Sequence, residues 1–161
     1  MVMLPSHEYL NRLNIPFTSV TFSPSTPKGA ANVALAIGLS EHQAVKTLIF
    51  CSDLDEQVLV LIGGNKNVIS GHLKKIVGSR NIQLAKPDLV YITTGYQVGS
   101  IPPFCWQPEG FRTFLDLALL DETILAVGAG IWGNEILITP ENLLKACSAI
   151  PVNLSNREMP V

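Results

Sequence analysis

Cysteine is scarce and scattered: Cys51, Cys105 and Cys147 are the only three in 161 residues. An odd number at such wide spacing excludes a disulfide framework, and no paired Cys or His ligands suggest a zinc site. Charge is scarce as well. Charged residues are 15% of the chain and the net charge is −2. That argues against a long polyampholyte segment and against a nucleic-acid binder held by bulk basicity. No apolar run approaches a bilayer span; the best, Val58 to Ile62, is a strand's worth. The first residues, Met-Val-Met-Leu-Pro-Ser-His-Glu, lack the basic-then-apolar order of a secretion signal. The expectation is a soluble, cytoplasmic protein with no membrane partner.

The common catalytic signatures are missing too. There is no HExxH, no CxxC, no GxSxG and no GxxxxGK[ST]. His7, His42 and His72 have no cysteine or carboxylate at ligand spacing, which is the pattern of surface or capping histidines. No metal and no cofactor are expected.

What is present is apolar. Hydrophobic residues are 47% of the chain, enough for one domain to build a sizeable core. Eleven Pro and twelve Gly are spread along it, so short elements joined by turns are expected. The pattern predicts helices over His7–Leu13 (Ser6 as N-cap), Ala30–Ile37 (closed by Gly38), Ser70–Val77 (ending at Gly78), Pro87–Thr93 and Pro140–Ala146. Ser40 and Gln43 read as a capping box on a single helical turn. Strands are predicted at Pro16–Phe22, Val45–Cys51, Gln57–Ile62, Ile82–Leu84, Phe111–Leu117, Thr123–Val127 and Glu135–Ile138. The two strands on either side of Ser52–Glu56 are apolar on both faces, as in a covered sheet. The fold class is therefore a compact single-domain α/β protein with a mixed, curved sheet; residues 1–154 form the domain and 155–161 a loose tail.

Two stretches stand out chemically. Lys46 alternates onto the same strand face as Leu48 and Phe50. A lysine there either snorkels, the default at a strand's start, or meets an anionic partner. The stretch Thr94-Gly-Tyr-Gln-Val-Gly-Ser-Ile-Pro-Pro-Phe is fixed by two glycines and two prolines. Its backbone N–H groups can serve an oxyanion, or it is simply a rigid turn. Between Gln57 and Pro87 there are five basic residues (Lys66, Lys74, Lys75, Arg80 and Lys86) and no acid, leaving a formal −7 on the rest. That is either a solvated surface or a phosphate-facing patch.

In order along the chain, Ala44-Val-Lys-Thr-Leu, Thr94 to Phe104 and Gly128-Ala-Gly with Ile138-Thr-Pro-Glu-Asn-Leu-Leu resemble the YbaK family. That family includes the prolyl-tRNA-synthetase-associated editing domains. The likeness runs from about Pro16 to Leu144. It implies a barrel-like curved sheet with surrounding helices, and hydrolysis of the ester joining a misplaced amino acid to the 3′ adenosine of tRNA. The substrate class it implies is a small residue such as Cys, Ala, Ser or Pro. Aminoacyl-tRNA, and a synthetase such as prolyl-tRNA synthetase, are the implied partners; no DNA is expected.

Carried over by position, the resemblance puts the family lysine on Lys46 and its glycine-x-x-x-proline loop on Gly99 and Pro103. Lys46 and Gly99 are then the candidate catalytic positions. Phe22, Thr47, Ser100, Ile101, Pro103, Gly128 and Gly130 are the candidate substrate-binding positions, and Lys66, Lys74, Lys75 and Arg80 the candidate tRNA contacts. Lys46 would hold the adenosine or the ester oxygens, and backbone donors of Gly99–Pro103 the oxyanion. Water or a substrate thiol would attack. Glu135 and Asp116 are carboxylates near this region without an assigned role. The chain departs from the family at Phe22 (commonly Tyr), Cys105 (usually Gly) and Ile131-Trp132 (often a basic pair). Those departures bear on substrate identity more than on fold. The competing readings are a non-catalytic aminoacyl-tRNA or synthetase-binding module, and a Schiff-base enzyme using Lys46.

Overall fold

A computed structural model describes residues 3–155. In chain order the elements are α1 (Pro5–Arg12), β1 (Thr18–Thr21), α2 (Ala30–Ile37), β2 (Val45–Ser52), β3 (Gln57–Gly63), α3 (Ser70–Val77) and β4 (Ile82–Leu84). Then follow α4 (Pro87–Thr94), β5 (Thr113–Asp116), β6 (Leu125–Gly128), β7 (Asn134–Ile138), α5 (Pro140–Cys147) and β8 (Ile150–Val152). Short 3₁₀ turns occupy Glu41–Gln43 and Leu117–Asp121.

Local chemistry accounts for most boundaries. The predicted ends of α2, α3 and β4 coincide with the observed ones. Ser40 and Gln43 form the predicted box, with the Ser40 N–H donating to Gln43 Oε1 at 3.0 Å. Helix α1 starts two residues earlier than expected, because Pro5 takes the first turn, where a missing N–H costs nothing. Ser6 is therefore inside the helix and is not its cap. Its hydroxyl donates to the Ala129 carbonyl at 2.6 Å and ties α1 to the turn after β6. His7 is buried at 2% exposure. Its Nδ1 accepts from the Leu4 N–H at 3.1 Å and its Nε2 contacts the Ser19 hydroxyl at 2.8 Å.

The strands form two sheets where one curved sheet was expected. Five pair in the order β4-β2-β3-β5-β8 and three in the order β1-β7-β6. The larger sheet is mixed: β2 is antiparallel to β3 and β4, whereas β3–β5 and β5–β8 are parallel. The smaller is antiparallel throughout. The sheets touch through an isolated bridge between Ala44 and Ala126, and no closed barrel forms among the described residues. Beyond that bridge, Gly128, which pairs with Glu135 of β7, also packs on the backbone of Ser100 and Ile101.

Strand β3 is central and covered on both faces. Leu59 and Leu61 join the main core with Leu10, Ile49, Leu115, Leu125 and Ile136. Val58 and Val60 face the other way, onto Leu73 and Val77 of α3 and Phe114 of β5. This alternation is why its sequence reads as an unbroken apolar run. The strand predicted over Phe111–Leu117 is shorter, because Phe111 packs on Trp106 and Leu117 begins a 3₁₀ turn. Strand β8 went unpredicted: it is three residues long, contains Pro151 and lies at the sheet edge, where a missing N–H is tolerated. Of the expected tail, Ser155 donates to the Asp116 carboxylate, and 156–161 lie outside the described residues.

Candidate active site

Where the two sheets part, a cavity of about 340 Å³ opens. Strand β2 contributes Val45, Lys46, Thr47 and Leu48, and the loop after α4 contributes Val98, Gly99 and Ile101. Gly128, Trp132 and Glu135 come from the β6–β7 hairpin, and Lys28 to Ala30 with Val33 from the start of α2.

Lys46 is half-buried, and its ammonium donates to the carbonyl of Lys66 in the loop after β3. It does not simply snorkel into water. Burial lowers its pKa from the usual lysine value, partly opposed by the Glu41 carboxylate. Next to it, Thr47 Oγ1 is a buried side-chain atom without a hydrogen-bond partner, and no other such atom occurs among the described residues. An unsatisfied hydroxyl of this kind costs about 1–3 kcal/mol. Thr47 is also one of the residues lining the cavity, so this hydroxyl lies at its wall.

The loop opposite is set by Gly99, whose φ of 91° is a left-handed value that side chains disfavour. The Ser100 N–H is committed to the Gln97 carbonyl at 3.0 Å, and Pro102 and Pro103 have no N–H. The loop's candidate oxyanion donors therefore narrow from Gly99–Pro103 to Gly99 and Ile101. Trp106 Nε1–H donates to the Pro102 carbonyl at 2.6 Å and Gln107 Nε2 to the Pro103 carbonyl at 2.7 Å, bracing the loop from behind. Gly128 is where β6 meets this loop. A Cβ there would lie 2.9 Å from the Ile101 carbonyl oxygen, so only glycine allows the approach.

Glu135 is 6% exposed and has no ion-pair partner among the described residues. Burial pushes its pKa up to about 8, so at neutral pH the carboxyl is protonated and can donate a hydrogen bond.

Of the positions named from sequence, Lys46, Thr47, Gly99, Ile101 and Gly128 line the cavity together. Ser100 is buried behind the wall and Pro103 lies in the braced segment, neither of them lining it. Phe22 stands edge-on to Trp132 at 5.0 Å, one layer out. Gly130 faces the Tyr96 ring outside the lining. Cys105 keeps a positive φ of 76° where the family usually has glycine, and its thiol lies 3.7 Å from the Tyr96 hydroxyl, away from the cavity. Asp116 is a structural group: it accepts from the Leu154 N–H at 2.8 Å and from Ser155. Lys66, Lys74, Lys75 and Arg80 lie outside the lining; Lys75 and Arg80 are exposed, and Lys66 and Lys74 half-buried. Sequence reading missed Lys28, Val33 and Val98, and gave Trp132 and Glu135 no role. The alternation of Glu135 with Leu137, opposite the core residues Ile136 and Ile138, was the available sign that it faces elsewhere.

Residues 26–146 match the family profile described as "Aminoacyl-tRNA editing domain". Curated relatives include a proline–tRNA ligase of Streptococcus thermophilus, 32% identical over 120 residues that make up 74% of this chain. Another is the proline–tRNA ligase of Pelobacter propionicus, 29% identical over 102 residues, or 63% of the chain. The matched regions are 19% and 18% of those ligases, so the chain spans less than a fifth of their length. Among solved structures, a hypothetical protein, APE2540, superposes with a TM-score of 0.85 at 25% identity, covering 94% of this chain and 99% of that one. A candidate trans-editing enzyme for prolyl tRNA synthetase superposes with a TM-score of 0.83 at 24% identity, covering 98% and 100%, a likeness of fold. With three quarters of its length matched by the profile and its motif residues gathered at one cavity, the chain belongs to the aminoacyl-tRNA editing domain family.

Proposed function

We propose that this chain is a trans-editing deacylase that hydrolyses the ester between a misplaced small amino acid and the 3′ adenosine of tRNA. The observation carrying this reading is the convergence of Lys46, Thr47 and the Gly99–Ile101 loop on one small cavity. An aminoacyl ester is already labile, so positioning and charge stabilisation suffice as catalysis. The Lys46 ammonium holds the ester or ribose oxygens, Thr47 Oγ1 supplies the hydrogen bond it lacks in the free protein, and the N–H groups of Gly99 and Ile101 receive the developing oxyanion. The nucleophile is water or a substrate thiol. Ser100, Pro103, Phe22 and Gly130 support the walls and do not touch substrate. Lys66, Lys74, Lys75 and Arg80 carry the tRNA backbone contacts. The reaction belongs in the cytoplasm, where tRNA is charged, and prolyl-tRNA synthetase is the synthetase such a protein would serve.

The test is deacylation of tRNAs mischarged with alanine, cysteine, serine or proline. Rapid release of at least one amino acid is expected. Saturable tRNA binding with no release from any of them would replace this reading with that of a binding module.

A further inference from the structure

The cavity has a wet end and a dry end. Lys28, Gly29, Val98 and Gly99 are exposed and mark its mouth, whereas Val33, Ile101 and Glu135 are buried at its floor. Trp132 lies on the wall beside Lys28. Its indole N–H donates to the Thr26 carbonyl at 3.2 Å, and Phe22 meets it edge-on at 5.0 Å and 87°. The ring is thus held in place with its one polar group already satisfied, and what it offers a ligand is its face. The Lys28 ammonium stands over that face, 3.7 Å from the ring centroid. An exposed cation–π contact is worth only about 0.5–1 kcal/mol, so a better stacking partner can displace it.

We infer that Trp132 and Lys28 form a nucleotide platform at the cavity mouth: the adenine of the terminal nucleotide stacks on the indole, and the displaced Lys28 pairs with that nucleotide's 5′-phosphate. The inference rests on the deacylase reading for the identity of the nucleotide. With the aminoacyl group at the buried floor, ribose and base must leave through the mouth. Every base has a π face, so the indole supplies affinity, and the lysine supplies a charge matched to the adjoining phosphate. Trp132 is a positioning residue: it holds the substrate and leaves the reacting atoms to Lys46 and the loop.

The experiment titrates the full chain with adenosine 5′-monophosphate while following tryptophan fluorescence. Quenching should be saturable in the wild type and lost in Trp132→Phe, which retains only Trp106. Lys28→Ala should weaken quenching by the monophosphate, while quenching by adenosine should hold or strengthen slightly, since the base no longer displaces the ammonium. With mischarged tRNA, Trp132→Ala should raise KM about ten-fold with kcat nearly unchanged, and Trp132→Phe should recover most of that loss. Absence of quenching, or an unchanged KM in Trp132→Ala, overturns the platform even if deacylation is robust. Quenching without release of any amino acid supports the platform and removes the deacylase reading instead.

Discussion

Gly128 and the Ile101 carbonyl are in such close contact that a methyl group on the glycine would sit 2.9 Å from that oxygen. The end of β6 and the loop bearing the proposed oxyanion donors are thus fitted backbone to backbone, and each fixes the other. The same hypothetical methyl would meet Ser100 C and O at 3.0 Å, so no flexible side chain is available to yield.

Gly128→Ala should therefore push the Gly99–Ile101 loop outward by a few tenths of an ångström. We expect deacylation to fall about a hundred-fold for a stability cost of about 1–3 kcal/mol. Gly71→Ala, where the added methyl has no neighbour within 4 Å, is the control. Equal activity in the two variants would mean the contact does not set the loop.

Thr47 predicts a separation of stability from activity. Thr47→Val keeps the shape and removes a buried hydroxyl that has no partner. The melting temperature should hold or rise, since up to about 1–3 kcal/mol of desolvation is relieved. Turnover should drop about ten-fold. A variant that melts lower and works normally would place the hydroxyl in structure and not in catalysis.

Glu135 makes stability depend on pH in a particular direction. The unfolded carboxyl ionises near 4.5 and the folded one at about 8. Between those values the native state keeps a proton that the unfolded chain has released. The stabilisation is full at pH 4.5 and is lost as pH rises to 8. Glu135→Gln lacks this dependence, so the wild type should lose on the order of 5 °C in Tm relative to the variant between pH 5 and pH 8. Parallel melting profiles would contradict a buried, protonated carboxyl.

The basic stretch predicts salt dependence without chemistry. Replacing Lys74, Lys75 and Arg80 together by alanine should raise KM for tRNA, flatten its dependence on salt and leave kcat unaltered. A fall in kcat at saturating tRNA would tie the patch to the reaction, and an unchanged salt slope would remove it from the tRNA path.

Local chemistry in the chain went far towards the fold. Helix ends at Gly38 and Gly78 and the box at Ser40 and Gln43 are each set by neighbours a few residues away, and the covering of β3 shows in its unbroken apolar run. The sheet arrangement is a different matter. Nothing local says that the two sheets are joined by an isolated bridge between Ala44 and Ala126, with the cavity opening beside it. Lys46 and Gly99 stood out by type and by the company they keep. Trp132 and Lys28 did not, because their pairing joins a position before β2 to one after β6 and is fixed only by tertiary packing. Ser6 was misread because its hydroxyl serves Ala129, far along the chain, and not the helix it starts beside.

The central claim is that Lys46, held against the Lys66 carbonyl, is the cation that makes the cavity hydrolytic. The most direct test is single-turnover deacylation of the best substrate by Lys46→Ala, with tRNA affinity and Tm measured on the same sample. The account predicts loss of at least about a hundred-fold in rate with tRNA binding within a few-fold of wild type and the fold intact. Near-wild-type hydrolysis by a folded, tRNA-binding Lys46→Ala protein would contradict it.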